Sequence, residues 1–150
     1  MGDKPFPGQF IENGRLDMER VLVKFQQFMR EQYSVKDGKF LEREGRLVLL
    51  AFIRPLIIGR GFDFKEVQIS EEKRLDIVIT FANYKYVLEL KRWSGEAVHR
   101  RGLKQLADYL ERQGLDRGYL VVFDFSEGRD NRRQEDRTTV DGKEIMMVRV

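Results

Sequence analysis

Hydrophobic residues recur along the chain with two periods, and the change from one period to the other outlines the structural elements. In residues 15–33, 41–58 and 96–113, apolar side chains return every three or four positions, which is typical of amphipathic helices. Shorter apolar runs between turn residues predict strands over 62–71, 75–81, 86–93 and 118–123. Two short strand candidates joined at Asp141-Gly142 end the chain. This order predicts an α/β sandwich with a mixed sheet.

The same periods predict which helical residues face the core. Pro55 lies within the second helical segment and is expected to kink or end it, whereas Gly114 fits a C-terminal cap of the third. Residues 1–14, which carry prolines and glycines, predict an extended lead-in to a single domain over 15–150. The expected core positions of the three helices are, in chain order, Met18, Val21, Leu22, Phe25, Phe28 and Met29; Leu47, Leu50, Ala51 and Ile57; and Leu103, Leu106, Ala107 and Leu110.

Composition excludes several kinds of site. The chain has 150 residues, a length that fits one domain, and it contains no cysteine, so disulfides and thiolate zinc sites are ruled out. Its one histidine, His99, leaves little room for a Ser-His-Asp triad. The formal charge of +3 permits nucleic-acid binding without demanding it. We expect a cytoplasmic protein without a membrane partner, since no apolar run could cross a bilayer and the N-terminus lacks a signal-peptide pattern.

The candidate chemistry lies in the hairpin formed by segments 75–81 and 86–93. Glu89 and Lys91 share a face, because side chains alternate along a strand. A two-residue turn at Ala82-Asn83 places Asp76 opposite Glu89, and a turn one residue later places Asp76 opposite Lys91. Either turn gathers two acids and one lysine, whereas a three-residue turn would separate them unless a bulge intervened.

Two neighbouring carboxylates in otherwise apolar strands are costly to bury, so a cation must offset their charge. Lys91 can supply part of it, and a divalent metal the rest. Hard carboxylate oxygens suit Mg²⁺ or Mn²⁺, which can polarise a phosphodiester and activate water. The alternative is a surface Glu-Lys strand pair, since an ExK triplet alone is a weak signal.

The layout of Asp76 followed by Glu89-Leu90-Lys91 resembles the signature of the PD-(D/E)XK nuclease superfamily. The resemblance implies a restriction-endonuclease-like mixed sheet flanked by helices, with an α-β-β-β-α-β core and here an extra N-terminal helix. Segments 87–91, 102–109 and 118–124 look like the nuclease-like C-terminal domain of bacterial AAA-type ATPase-like proteins. No GxxxxGK[ST] loop occurs, so an ATPase domain would belong to a longer native chain.

The resemblance also implies roles for individual residues. Asp76, Glu89 and the carbonyl of Leu90 would bind the metal, and Lys91 would serve the attacking water. Glu44, on the first helix of the family core, would hold a second metal or a metal-bound water. Gln105 would orient the site, with Tyr109 one turn further along the same helix face.

Nucleic-acid contacts are expected from the basic start of the third helix. Arg100, Arg101 and Lys104, with Tyr109, are the candidate contacts, because phosphates dominate the affinity of such complexes. The alternative is a solvated helix end. DNA is the expected partner, and RNA is a second option.

Two further hypotheses remain open at this stage. The domain could keep the nuclease fold and act as a non-catalytic binding or assembly module, an interpretation that the modest net charge favours weakly. The apolar face of residues 15–33 could also form a homodimer, unless the domain core uses all of these side chains.

Overall fold

In the computed structural model, the elements from the first helix onward follow one another in the order that the hydrophobic pattern predicts, and two short strands that it did not predict precede them. The structure describes residues 11–12, 15–32, 42–57, 66–69, 75–81, 84–124 and 135–150. The helices are α1 (Met18–Gln32), α2 (Glu42–Ile57) and α3 (Glu96–Gln113). The strands are β1 (Ile11–Glu12), β2 (Arg15–Leu16), β3 (Glu66–Ile69), β4 (Leu75–Phe81), β5 (Tyr84–Arg92), β6 (Arg117–Phe123), β7 (Glu135–Val140) and β8 (Lys143–Arg149).

Six of the described strands form one mixed sheet in the order β3-β4-β5-β6-β8-β7. The pairs β3–β4, β4–β5 and β7–β8 are antiparallel, while β5–β6 and β6–β8 are parallel. A parallel connection needs a crossover, and α3 provides it between β5 and β6. This arrangement confirms the expected restriction-endonuclease-like α/β fold, including the extra N-terminal helix. Strand β5 lies inside the sheet, with a partner on each side.

The two faces of the sheet are covered by different helices. Side chains from α1 and α2 pack on one face in a continuous apolar cluster that includes Leu88, Leu90 and Phe123. A smaller cluster between the sheet and α3 includes Val87 and Leu106. Because successive side chains of β5 and β6 enter opposite clusters, both strands are buried on both faces, as the apolar run at 118–123 predicts.

Helix α1 begins later than predicted. Arg15 and Leu16 belong to β2, and Asp17 caps the helix by accepting a hydrogen bond from the Arg20 N–H at 3.1 Å. The predicted core face of α1 is confirmed, since Phe25 and its apolar neighbours are buried and Phe28 is partly buried against them. The dimer hypothesis thereby loses its argument, because the domain's own core uses this face.

Helix α2 turns a different face to the core than the sequence suggests. Leu47 is 54% exposed and Ala51 is exposed, whereas Leu49 and Ile53 are buried together with the correctly predicted Leu50. Residues 47–53 are apolar without interruption, so the sequence offers no polar side to set the orientation. Pro55 lies inside the helix, which continues to Ile57, so the proline does not end it. The side chain of Ile57 lies outside the described residues.

The remaining boundaries agree closely with the predictions. Helix α3 spans the predicted 96–113, and Gly114 ends it in the left-handed conformation at φ 71°. The terminal hairpin turns at Asp141-Gly142, both with positive φ. Of the lead-in predicted for 1–14, only residues 11–12 are described, and they form β1. Strand β3 covers 66–69 of the predicted 62–71, the rest of which lies outside the described residues.

Strand β7 forms one end of the sheet. Among the described strands it pairs with β8 alone, and it is exposed over residues 135–139. An exposed ion pair joins it to α1, with Arg137 Nη2 2.6 Å from Glu19 Oε1. Among the described helices, none is long and apolar enough to cross a membrane.

Candidate active site

The hairpin of β4 and β5 has the register that a two-residue turn at 82–83 requires. Phe81 pairs with Tyr84, and Asp76 pairs with Glu89. Directly opposed positions share a face of the sheet, with Cβ atoms about 5 Å apart. Residues 82–83 and the side chain of Asp76 lie outside the described part. The backbone register therefore confirms the first of the two turn alternatives and assigns the two acids to neighbouring positions.

Glu89 is fully buried. Its strand neighbour Val87 belongs to the cluster beneath α3, as does Leu120, the residue of β6 that pairs with Glu89. Carboxylates are rarely buried to this degree in apolar surroundings unless a cation or hydrogen bonds stabilise them. The α3 face of the sheet is therefore apolar near Glu89 but interrupted by a deeply placed acid.

Lys91 lies on the same face two residues further along β5. Its side chain is half-buried and runs against Gly102 of α3. A Cβ atom built on Gly102 would lie 3.2 Å from Lys91 Cε and 3.8 Å from Lys91 Nζ. The absence of a side chain at Gly102 thus makes room for the lysine between helix and strand.

Helix α3 also carries the two polar candidates predicted to accompany the acids. Gln105 is one turn beyond Gly102, and residues three apart on a helix are neighbours on its surface. Tyr109 packs at the edge of the α3 cluster, and the Arg112 guanidinium lies 5.8 Å from the centre of its ring. Both side chains are half-buried, on the helix that covers Glu89 and Lys91.

Glu44 and Leu90 belong to the opposite layer. Glu44 lies in the first turn of α2, which packs on the other face of the sheet, and its side chain is outside the described residues. The Leu90 side chain is buried in the α1–α2 cluster, so any part that this residue takes in the site must involve its main chain.

The basic candidates at the start of α3 have different surroundings. Arg100 and Arg101 are exposed. Lys104 donates a hydrogen bond to Asp141 Oδ2 at 2.6 Å, which raises the pKa of its ammonium above the ordinary value. Lys104 is therefore engaged by the β7–β8 turn.

A polar cluster that the sequence pattern did not indicate lies at the ends of β5, β6 and β8. Asp124 is 1% exposed, and its Oδ2 lies 3.7 Å from Arg149 Nη1. The Arg149 guanidinium lies 4.3 Å from the Trp93 ring centre, and the His99 ring lies 5.3 Å from the same indole. Burial lowers the pKa of His99, which favours its neutral form. The available signal was weak: an acid directly after a fully apolar strand.

Trp93 is consequently packed within this cluster. Its backbone N–H donates to the Phe123 carbonyl at 2.8 Å and joins the ends of β5 and β6. The nearby Gln26, which is 4% exposed, donates to the Arg149 carbonyl at 2.7 Å and ties α1 to β8. These contacts join the ends of β5, β6 and β8, which is also the end of β5 near which Lys91 lies.

The donor set at the hairpin is suited to a hard divalent cation. Two carboxylates occupy opposed positions, one of them at a fully buried residue, and carboxylate oxygens are preferred ligands of Mg²⁺ and Mn²⁺. Among the residues with described side chains, no group of three acidic, histidine or cysteine residues could hold a metal. Asp76 and Glu44 are not among those residues, so the fit rests on Glu89 and on the register.

Comparison with known proteins gives one family. The family model Mrr_cat, described as a restriction endonuclease, matches residues 48–143, which is more than half of the chain. The match spans β4, β5 and α3, and so it contains Asp76, Glu89, Lys91 and Gln105. Searches of curated proteins and of solved structures found no match. The resemblance to the PD-(D/E)XK superfamily is confirmed by the family match.

Proposed function

The chain belongs to the Mrr_cat restriction endonuclease family, and from this premise we propose that it is a metal-dependent nuclease that hydrolyses phosphodiester bonds in DNA. Asp76, Glu89 and Lys91 are its proposed catalytic residues. The observation that carries the proposal is the β4–β5 register, which pairs Asp76 with Glu89 on the face where Lys91 meets α3. The family match supports a nuclease in general, and the residue roles are our proposal.

The two carboxylates and the Leu90 carbonyl would hold Mg²⁺ or Mn²⁺, with Glu44 as a further acid from α2. When bound, such a cation supplies charge for the phosphate oxygens and lowers the pKa of water. Burial of Glu89 serves this purpose, because electrostatic interactions are stronger where water is excluded. The central position of β5, paired on both sides, fixes the main chain that carries Glu89 and Leu90.

Lys91 would hold the attacking water and stabilise negative charge that develops on the phosphate. Its stem is enclosed by β5 and α3 and lines a narrow cleft with Trp93 and His99. A half-enclosed ammonium keeps one orientation better than a fully solvated one, because fewer rotamers are open to it. Its position therefore suits a group that must meet one particular phosphate.

The remaining candidates would bind and orient the nucleic acid. Gln105 and Tyr109 lie on the helix that covers the site, and the exposed Arg100 and Arg101 are suited to backbone phosphates. Lys104 contributes less in this proposal, because Asp141 already neutralises it. DNA is the proposed substrate, with RNA as the alternative that the assay must include.

Cleavage assays on purified protein test the proposal directly. Wild-type protein is expected to cut single-stranded, double-stranded or branched DNA with Mg²⁺ or Mn²⁺, and Lys91→Ala to lose about a hundredfold to a thousandfold of the rate, as when other enzymes lose one donor to a developing charge. Lys85→Ala is the matched control, because Lys85 is an exposed lysine near the opposite end of the same strand. Equal rates for wild type and Lys91→Ala would refute the proposed site.

The same assay also tests the alternative function, that of a non-catalytic binding module. It would be favoured if wild-type protein bound DNA but cut neither DNA nor RNA with either metal. The ATPase domain in a longer chain and the cytoplasmic location stay predictions, since the family match concerns residues 48–143 alone.

A further inference from the structure

Gly102 is an unusual residue for its position. It lies in the interior of α3, where glycine is one of the least favourable helix formers, and it is buried against the sheet. A helix-interior glycine weakens the helix because its backbone loses more conformational freedom on folding than that of any other residue. A neighbouring group that occupies the space left by the missing side chain would explain a glycine at this position.

One side chain lies nearest to the position that a Cβ on Gly102 would take. The three atoms nearest to a Cβ built on Gly102 all belong to Lys91: Cε at 3.2 Å, and Cδ and Nζ at 3.8 Å each. At Gly45 and Gly118 the corresponding atoms belong to apolar core residues, Phe123 and Leu110. Of these three buried helix and strand glycines, Gly102 alone accommodates a charged side chain.

We propose that Gly102 is a positioning residue for Lys91, an inference that rests on the nuclease function proposed above. The missing side chain lets the lysine stem lie against α3, so that the ammonium is held at the face that carries Glu89. A methyl group at 3.2 Å from Cε would be tighter than ordinary contact, and the lysine end would have to shift by a few tenths of an ångström.

The residues around Lys91 determine in which direction its side chain would move if a methyl group were added at residue 102. Trp93, Val98, His99, Leu120 and Val122 are among the other residues that line this cleft. Leu120 and Val122 belong to the packed α3 cluster, so there is little room between the helix and the sheet. A displaced Lys91 side chain therefore moves towards solvent. A methyl group at residue 102 should therefore misplace the ammonium with little harm to the fold.

Steady-state kinetics of Gly102→Ala test this role. We expect kcat to fall about tenfold, because small misplacements of a catalytic group are costly, while KM and the DNA dissociation constant stay within about twofold. The melting temperature should not fall, because alanine favours the helix. Unchanged kcat would overturn the proposal.

Gly118→Ala is the matched control. Its Cβ would lie 2.7 Å from Leu110 Cδ1 in the core, so this variant should melt at a lower temperature. Assayed where it is folded, it should keep the wild-type kcat, because it lies away from Lys91. A similar loss of kcat in both variants would mean that general loosening, rather than the position of Lys91, limits the reaction.

A melting cycle separates this inference from the nuclease proposal. Gly102→Ala should raise the melting temperature more in a Lys91→Ala background than in wild type, since the opposing lysine is then gone. Equal shifts in melting temperature in both backgrounds would contradict the contact between Gly102 and Lys91, even if the enzyme is active. A wild-type protein that cuts no nucleic acid would overturn the nuclease proposal, and with it the effect of Gly102 on catalysis. Unequal shifts in melting temperature would still demonstrate the contact between Gly102 and Lys91.

Discussion

The two faces of strand β5 have different compositions and different tasks. On the α1–α2 face, Leu88 and Leu90 enter a continuous apolar core. On the α3 face, the neighbouring positions are Val87, the buried Glu89 and the half-buried Lys91. The even positions of this strand thus pack in the core, and its odd positions carry the proposed catalytic residues, so the two roles are separated by a spacing of one residue.

The largest expected effect breaks the apolar face. Leu88→Ala should lower the free energy of unfolding by about 3 kcal/mol, because it removes a fully buried side chain and leaves a cavity. Chemical denaturation measures the loss. Cleavage by the folded fraction should persist, and a variant that is stable but inactive would show that the two faces are not separable.

Alkaline pH gives the next effect on the same face. Burial raises the pKa of Tyr119 from 10.0 to about 12. The folded state then holds the phenol proton more tightly than the unfolded state does. The protonated phenol therefore contributes fully to the free energy of unfolding below pH 10, and this contribution is lost as pH rises towards 12. Since one pKa unit corresponds to about 1.4 kcal/mol, the loss is about 2 to 3 kcal/mol. The free energy of unfolding of Tyr119→Phe should fall less steeply between pH 10 and 12 than that of the wild type. Equal slopes would contradict the raised pKa of Tyr119.

Metal binding sharpens the comparison on the α3 face. A ligand that binds only the native state stabilises it by about 1.4 kcal/mol at ten times its dissociation constant. Thermal melting of wild type with millimolar Mg²⁺ or Mn²⁺ should show this rise, and Asp76→Asn and Glu89→Gln should not. Glu111→Gln, an exposed acid near the end of α3, is the control that keeps the response. A rise that survives in Glu89→Gln would place the metal elsewhere.

The smallest effect concerns the rim of α3. The Lys104–Asp141 pair is exposed by more than half on both sides, and such pairs contribute about 0 to 1 kcal/mol. Asp141→Asn should therefore change the melting temperature little, yet free Lys104 for phosphate and steepen the salt dependence of DNA binding. An unchanged salt slope would argue that Lys104 does not face the nucleic acid.

Much of the fold follows from local pattern. The bounds of α3 and β4 and the cap at Gly114 were predicted, and the register of the β4–β5 hairpin is one of the two that were predicted, because each depends on periodicity or turn length within a few residues. The face of α2 was not, since an apolar run such as 47–53 offers the sheet several equivalent sides. Packing against β4 and β5 decides between them.

The site divides in the same way. The opposed acids come from one hairpin and were predictable, whereas the contact of Lys91 with Gly102 depends on how α3 crosses β5. The cluster of Asp124, Arg149 and Trp93 depends on the parallel alignment of strands far apart in sequence. No spacing rule within a single sequence reports such crossings.

The exposed end strand β7 has a consequence for how the sheet meets other chains. An outer strand offers a row of backbone donors and acceptors that another chain could extend. Here the strand begins with Glu135, Asp136 and Arg137, and the arginine is tied back to Glu19 of α1. Any chain adding at this edge would have to strip water from those charges. The sheet is thereby protected from growing outward, and a concentrated solution of the protein should resist β-aggregation from this side.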